Sequence, residues 1–224
     1  LTALPPVRPL DVPVDSAHVV VVGMVFGANR RGEAMAVLGK LLKNRRAGNA
    51  DLAWNAPNLA GGDELPLTSP DFAHEATIPV VHVGKRIGGE ELSPALSWAT
   101  VPEGTAQLLL VIEDPDAPTP KPFIHGVFLV DPSVTSLGRG ALDAKNPVAG
   151  VRPLRSGRGR GYLGPAPIKG HGPHRYVFQL FALAKPITAV PGSTDLDSAK
   201  PRAVLAAATD VLARGRIDGI YENP

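Results

Sequence analysis

Five side chains able to hold or pass on a proton fall in two short stretches of this chain. Asp114, Asp116 and His125 lie within Ile112–Val130; His174 and Tyr176 lie within Gly161–Leu183, with Arg175 between them. A histidine donates one hydrogen bond when neutral and two when charged, and its ordinary pKa of about 6.5 lets it follow the charge of a ligand. Tyr176 adds a hydroxyl donor. Gly170 and Gly172, just ahead of His174, let backbone N–H groups approach an anion closely. If the two stretches meet, the chemistry is that of a small pocket for a phosphate-like anion. A carboxylate there must share a proton or bond a ligand ammonium, because like charges repel. That points to a phosphate monoester or a zwitterionic head group.

Pro115 fixes the turn between the two aspartates and restricts Asp114. Asp114 is expected in the pocket; Asp116 either joins it or accepts backbone N–H bonds in the turn. Arg175 points away from its neighbours in a regular strand and is expected to brace a carboxylate. Two histidines and an aspartate could also hold zinc or iron, but the spacing matches no compact metal motif, so no metal and no cofactor are expected. The chain has no cysteine, no HExxH, no GxSxG, no P-loop and no dinucleotide fingerprint.

These groups need rigid strand ends to hold them. Ala106–Glu113, Phe123–Val130 and Tyr176–Leu183 are apolar runs bounded by Pro and Gly, the pattern of buried strands. Ile78–Val83 and Ile217–Tyr221 read as shorter strands. Glu33–Arg46 has Ala34, Val37, Leu38, Leu41 and Leu42 at helical spacing, so a helix packed on the body or on a second subunit is expected. A basic helix facing lipid is the other reading of that segment. Arg202–Arg214 has the same spacing, with Pro201 in its first turn and Gly215 as its stop. Residues 1–16 read as an extended arm and Val19–Phe26 as a strand or docking segment. The pattern is that of a mainly β protein of sandwich type. Residues 1–64 form an N-terminal extension with one helix (33–46), and 65–224 form the main domain.

At 44% hydrophobic residues the chain can build a core, and a net charge of +2 gives no reason to invoke nucleic acid despite a pI near 9.0. The 137–168 connection concentrates Arg139, Lys145, Arg152, Arg155, Arg158 and Arg160 against Asp143. It is either a solvated crossing loop or a positive rim that steers anions. No run is long enough for a membrane span. The absence of cysteine suits a cytoplasmic protein, and the opening Leu is compatible with a removed export signal.

Together LTSPDF (67–72), ELSPALSW (91–98), VPEGT (101–105), EDPDAP (113–118), IHGVF (124–128), GPAP (164–167), GHGPHRYVFQLFAL (170–183) and VLARGRIDGIY (211–221) resemble the phosphatidylethanolamine-binding protein family, which includes the Raf kinase inhibitor proteins and bacterial homologues. The resemblance implies a Greek-key β-sandwich-like fold with peripheral helices. It also implies an anion pocket at Asp114, Asp116, His125, His174 and Tyr176, with Gly164 and Pro165 in its wall. Three departures stand out. Ile124 and Gly126 flank His125 where a bulky aromatic is usual. Glu91 and Ala95 replace an asparagine and a proline. Thr209-Asp210-Val211-Leu212 replaces GHVL.

The expected function is that of a soluble binding protein for a phosphate-bearing or phospholipid head-group-like ligand, more a binder or regulator than an enzyme. Two alternatives stay open: a protein-interaction inhibitor of a kinase or protease, and a hydrolase or lyase using Asp114 and His125 as base and acid. The extension could cap the pocket, form a homodimer, or both.

Overall fold

The computed structural model describes residues 33–224, so the expectations for the arm and for Val19–Phe26 lie outside the described residues. The described part opens with a helix, α1, over 33–42, shorter than the 33–46 expected. It continues through β1 (Asp63–Glu64), β2 (Leu67–Thr68), β3 (Leu96–Trp98), β4 (Gln107–Asp114), β5 (Phe123–Val130) and β6 (Ser136–Leu137). There follow β7 (Val151–Pro153), β8 (Arg155–Ser156), β9 (Gly159–Arg160), β10 (His174–Leu183), the helix α2 (Pro201–Ala207) and β11 (Val211–Tyr221).

One sheet runs in the order β1-β11-β10-β4-β5-β7, antiparallel except where β1 lies parallel to β11. Within it, β10-β4-β5-β7 is a Greek key: β4, β5 and β7 are successive neighbours and β10 returns beside β4. A second sheet, β2-β3-β6, covers one face. Side chains alternate along a strand, and β4 uses both faces. Leu108, Leu110 and Ile112 meet Leu67, Leu96 and Leu137 of the small sheet. Leu109 and Val111 pack with Ala53, Leu59, Leu196 and Leu205 on the other side. Each such leucine contributes about 1.5–3 kcal/mol on burial, and this two-sided burial fixes the register of β4 and β10.

Residues 51–59, assigned by sequence to the extension, lie in this second layer. Leu52, Ala53 and Leu59 are buried. Glu113, on the β4 face opposite Asp114, accepts from the Ala53 N–H at 2.7 Å and from Gln179 at 2.9 Å, and pairs with Arg202. Burial raises its pKa, and the Arg202 charge and these bonds oppose the rise.

Three local expectations are corrected. Ile78–Val83 forms no strand: after one bridge from Thr77 to Ile220, Pro79 starts a 3-10 turn over Val80–His82. The helix expected over Arg202–Arg214 stops at Ala207, and the chain re-enters the main sheet as β11. Gly215 is no helix stop. It lies within β11, where a Cβ would collide with the Leu65 carbonyl. The 137–168 connection carries β7, β8 and β9. Its arginines are partly spent on one turn: Arg152 and Arg160 pair with Asp197, and Arg155 donates to the Ser198 carbonyl.

Candidate functional site

In an antiparallel sheet the C-terminal end of one strand meets the N-terminal ends of its neighbours. Asp114 is the last residue of β4, His174 the first of β10, and His125 the third of β5. All three therefore arrive at one end of the sheet. A β-bulge refines the placement. Ile112 pairs with Gly126 and Glu113 with Ile124, so His125 is left out of the ladder. Its main chain and ring pair with Leu163 instead. Leu163 N–H donates to the His125 carbonyl at 2.9 Å, and His125 Nδ1 donates to the Leu163 carbonyl at 2.8 Å.

Asp114 sits between the two histidines. Its Oδ1 accepts from Asp116 N–H at 2.8 Å across the Pro115 turn, and its Oδ2 lies 2.7 Å from His174 Nδ1 and 4.0 Å from His125 Nε2. All three residues are buried. Burial pushes the pKa of His125 below its ordinary value, with the nearby Asp114 carboxylate and the Leu163 bond opposing the shift. The ring is edge-on to Tyr176 and to Phe123, each at 5.0 Å between centroids. The aromatic missing from the positions beside His125 is thus supplied by Phe123, two residues earlier.

Tyr176 is 1% exposed, and its hydroxyl lies near the Ala166 backbone without a hydrogen-bond partner among the described residues. Burial, helped by the Asp114 charge, raises its pKa well above the ordinary tyrosine value, so it remains a donor. Gly164 and Pro165 form the adjoining wall. Gly164 packs so tightly on Gly84 and His82 that a Cβ there would touch backbone. The Gly84 N–H donates to the Pro165 carbonyl at 2.8 Å, and Arg86 donates to the Ala166 carbonyl at 2.6 Å. Glu91 accepts from the Gly164 N–H at 3.2 Å from a left-handed φ of 60°, a backbone state that asparagine adopts more readily. Ala95 donates its N–H to Asp71 at 2.7 Å, a bond a proline could not make.

Asp116 stands apart from the free donors. Arg175 engages it through its backbone N–H (2.9 Å), Nε (2.8 Å) and Nη2 (3.0 Å), and Arg46 adds a contact at 3.0 Å. Burial alone would raise its pKa; the Arg175 bonds and charge, with Arg46, outweigh burial and hold it below the usual carboxylate value. Arg175 thus braces a carboxylate.

One residue escaped the sequence reading. His171 Nδ1 lies 2.7 Å from His174 Nε2, and its Nε2 lies 2.8 Å from the Leu42 carbonyl at the end of α1. A carbonyl only accepts, so His171 Nε2 carries a hydrogen. The two further contacts, His171 to His174 and His174 to Asp114, need one hydrogen each. These contacts occupy both nitrogens of His174. The only sequence signal was a histidine three residues before His174.

Residues after α1 continue along the same edge. Arg46 donates to the Pro173 carbonyl at 2.9 Å, the Ala47 N–H to Ala117 at 2.9 Å, and the Gly48 N–H to Pro115 at 2.8 Å.

A family model described as phosphatidylethanolamine-binding protein matches residues 68–222, which include every site residue named above except those of the α1 segment. A UPF0098 protein of Aquifex aeolicus is 34% identical over 166 residues, spanning 73% of this chain and 92% of the relative. The putative lipoprotein LppC of Mycobacterium tuberculosis is 33% identical over 181 residues, spanning 80% of this chain and 81% of the relative. The crystal structure of YbcL from E. coli, described as a member of the mammalian PEBP family, superposes with a TM-score of 0.61 at 30% identity. That match covers 71% of this chain and 98% of YbcL.

Proposed function

The chain belongs to the phosphatidylethanolamine-binding protein family, and on that premise we propose that it binds a small phosphate-bearing ligand, a free phosphate monoester or a phospholipid head group, at the β4–β5–β10 strand ends. The observation that carries this reading is the Tyr176 hydroxyl, buried and without a partner among the described residues, beside His125. An unmatched buried donor costs about 1–3 kcal/mol, and a ligand oxygen would relieve that cost. His125 Nε2 is the second free group, because its Nδ1 is committed to Leu163. In this reading His174 holds Asp114 in place, while Asp114 bonds a ligand ammonium or a phosphate O–H. Gly164 and Pro165 form the wall, and Asp116 and Arg175 position the turn.

Acid–base catalysis by Asp114 and His125 is less well supported, since both Asp114 oxygens already accept bonds. Calorimetric titration of the full chain with inorganic phosphate, O-phosphoethanolamine and acetate tests the proposal. Saturable heats are expected for the two phosphates, with about tenfold or more loss of affinity in Tyr176→Phe. Equal, weak heats for all three ligands would refute it.

A further inference from the structure

Of the two seatings expected for helix α1, on the body or on a second subunit, the apolar stripe does not take the first against the described residues. Positions three and four apart share a helix face, and Ala36 and Gly39 take the inner one. Gly39 is buried, and a Cβ on it would strike the Lys169 carbonyl; the Gly170 turn lies against Ala36. Met35 (44% exposed), Val37 (59%), Leu38 (41%) and Leu41 (78%) point outward. These are four of the seven exposed large apolar side chains among the described residues, gathered on ten residues of helix. A scattered exposed leucine means little, but a contiguous apolar face marks an interaction surface.

Charge indicates what the face meets. Lys40, Lys43 and Arg45 are exposed beside the stripe, and the only acid of the segment, Glu33, stands at its far end. Arg46 is committed to Asp116. Apolar side chains flanked by exposed cations fit an anionic lipid surface, where leucines enter the acyl boundary and lysines meet head-group phosphates. A second copy meeting this face would set a net positive surface against another. Among the described residues no helix is long and apolar enough to cross a bilayer, so the contact proposed is in the interface plane.

The geometry points to α1 as an interfacial helix that docks the protein on anionic phospholipid membranes. Docking rests on the helix face alone and does not require the pocket reading. Its position, one hydrogen bond from His171, would set the strand-end site close to the lipid head groups.

The test is co-sedimentation of the full chain with phosphatidylcholine vesicles and with phosphatidylcholine–phosphatidylglycerol vesicles, at low and high salt. Wild type is expected on the anionic vesicles only, released by salt. Partitioning should fall about tenfold or more in Leu38→Glu/Leu41→Glu, and Lys40→Gln/Lys43→Gln/Arg45→Gln should lose the preference for anionic lipid. Tyr176→Phe should still dock, which separates this result from the fate of the pocket reading. Three outcomes overturn the inference: no vesicle binding by wild type, binding that Leu38→Glu/Leu41→Glu leaves intact, or a dimer in sedimentation velocity that this double variant converts to monomer. The last would assign the stripe to a second copy. A lower thermal midpoint of the double variant, with no vesicle binding by wild type, would assign it to the chain's own residues 1–32 and likewise overturn the proposal.

Discussion

His174 Nδ1 and Asp114 Oδ2 lie 2.7 Å apart, and the other nitrogen of the same ring lies 2.7 Å from His171. His174 therefore has no free nitrogen for a ligand. It acts as a spacer that passes the constraint of a helix-end carbonyl, Leu42, through two imidazoles to the carboxylate of the site. In the proposed pocket, direct contact with the ligand would fall to His125 and Tyr176. The two histidines expected to share one role differ in what they leave free: the side chains of Asp114 and His171 take both nitrogens of His174, whereas the Leu163 carbonyl takes only one of His125.

Replacing His171 tests this chain of bonds. His171→Ala removes the partners of the Leu42 carbonyl and of His174 Nε2 together. The expected cost is about 1–3 kcal/mol in urea denaturation, with faster tryptic cleavage after Lys43 and Arg45 as α1 comes loose. An unchanged midpoint and cleavage rate would show that the His171 bonds do not hold the helix.

If the proposed pocket binds phosphate, His125 should make that binding pH-dependent. Its pKa lies below the usual value of about 6.5, so at pH 7 the ring is neutral, with its hydrogen on Nδ1 facing Leu163. Nε2 is then a bare acceptor, and a fully ionised phosphate needs a donor. Binding should therefore take up a proton, and affinity should fall as the pH rises through the ring's lowered pKa, so that the fall is already under way below the usual histidine value. Calorimetry in buffers of different ionisation enthalpy, with the ligand's own titration subtracted, should show uptake in wild type and none in His125→Gln. Equal heats in all buffers would reject the assignment.

Asp116 should govern acid stability. Its folded-state pKa is held below the unfolded value of about 3.9, so the unfolded chain binds the proton first. Its contribution is thus fully present above about pH 3.9 and is lost as the pH falls through the folded value. Asp116→Asn should cost about 1.5–3 kcal/mol at pH 7, and the gap to wild type should close towards pH 3. Denaturation midpoints across that range check this; a gap independent of pH would mean that charge is not the cause.

The strands that build the site were legible because burial on both faces writes continuous apolar runs, as in Leu108–Ile112 and Leu180–Leu183. Asp114, His125 and His174 were legible because strand ends carry them. The boundary of α2 was not. Val204, Leu205, Ala208, Val211 and Leu212 keep helical spacing, yet the chain leaves the helix at Ala208 and turns at Asp210, with a φ of 57°, into β11. Sheet pairing with β10 overrides local propensity there. His171 was hidden for another reason: its outer partner is a main-chain carbonyl 129 residues away, which leaves no trace in side-chain spacing. The outward stripe of α1 is a third case. Periodicity locates an apolar face but not which way it points, and the small face of Ala36 and Gly39 decided the seating.

Gly39 offers the sharpest test of that seating. A Cβ there would meet the Lys169 carbonyl and the His171 N–H, both backbone atoms that cannot rotate aside. Gly39→Val must therefore lift α1 or shift the 169–171 turn. Valine is also the better helix former in isolation, so any loss cannot come from propensity. Amide exchange should quicken over residues 33–48 and 169–173, while the β4 and β5 cores stay protected. Because Leu42 bonds His171 directly, the disturbance should reach the His174 imidazole and appear as a shift of its ring resonances by NMR. If exchange and His174 resonances match wild type, the close approach of α1 to the turn, and with it the link from helix to site, would be disproved.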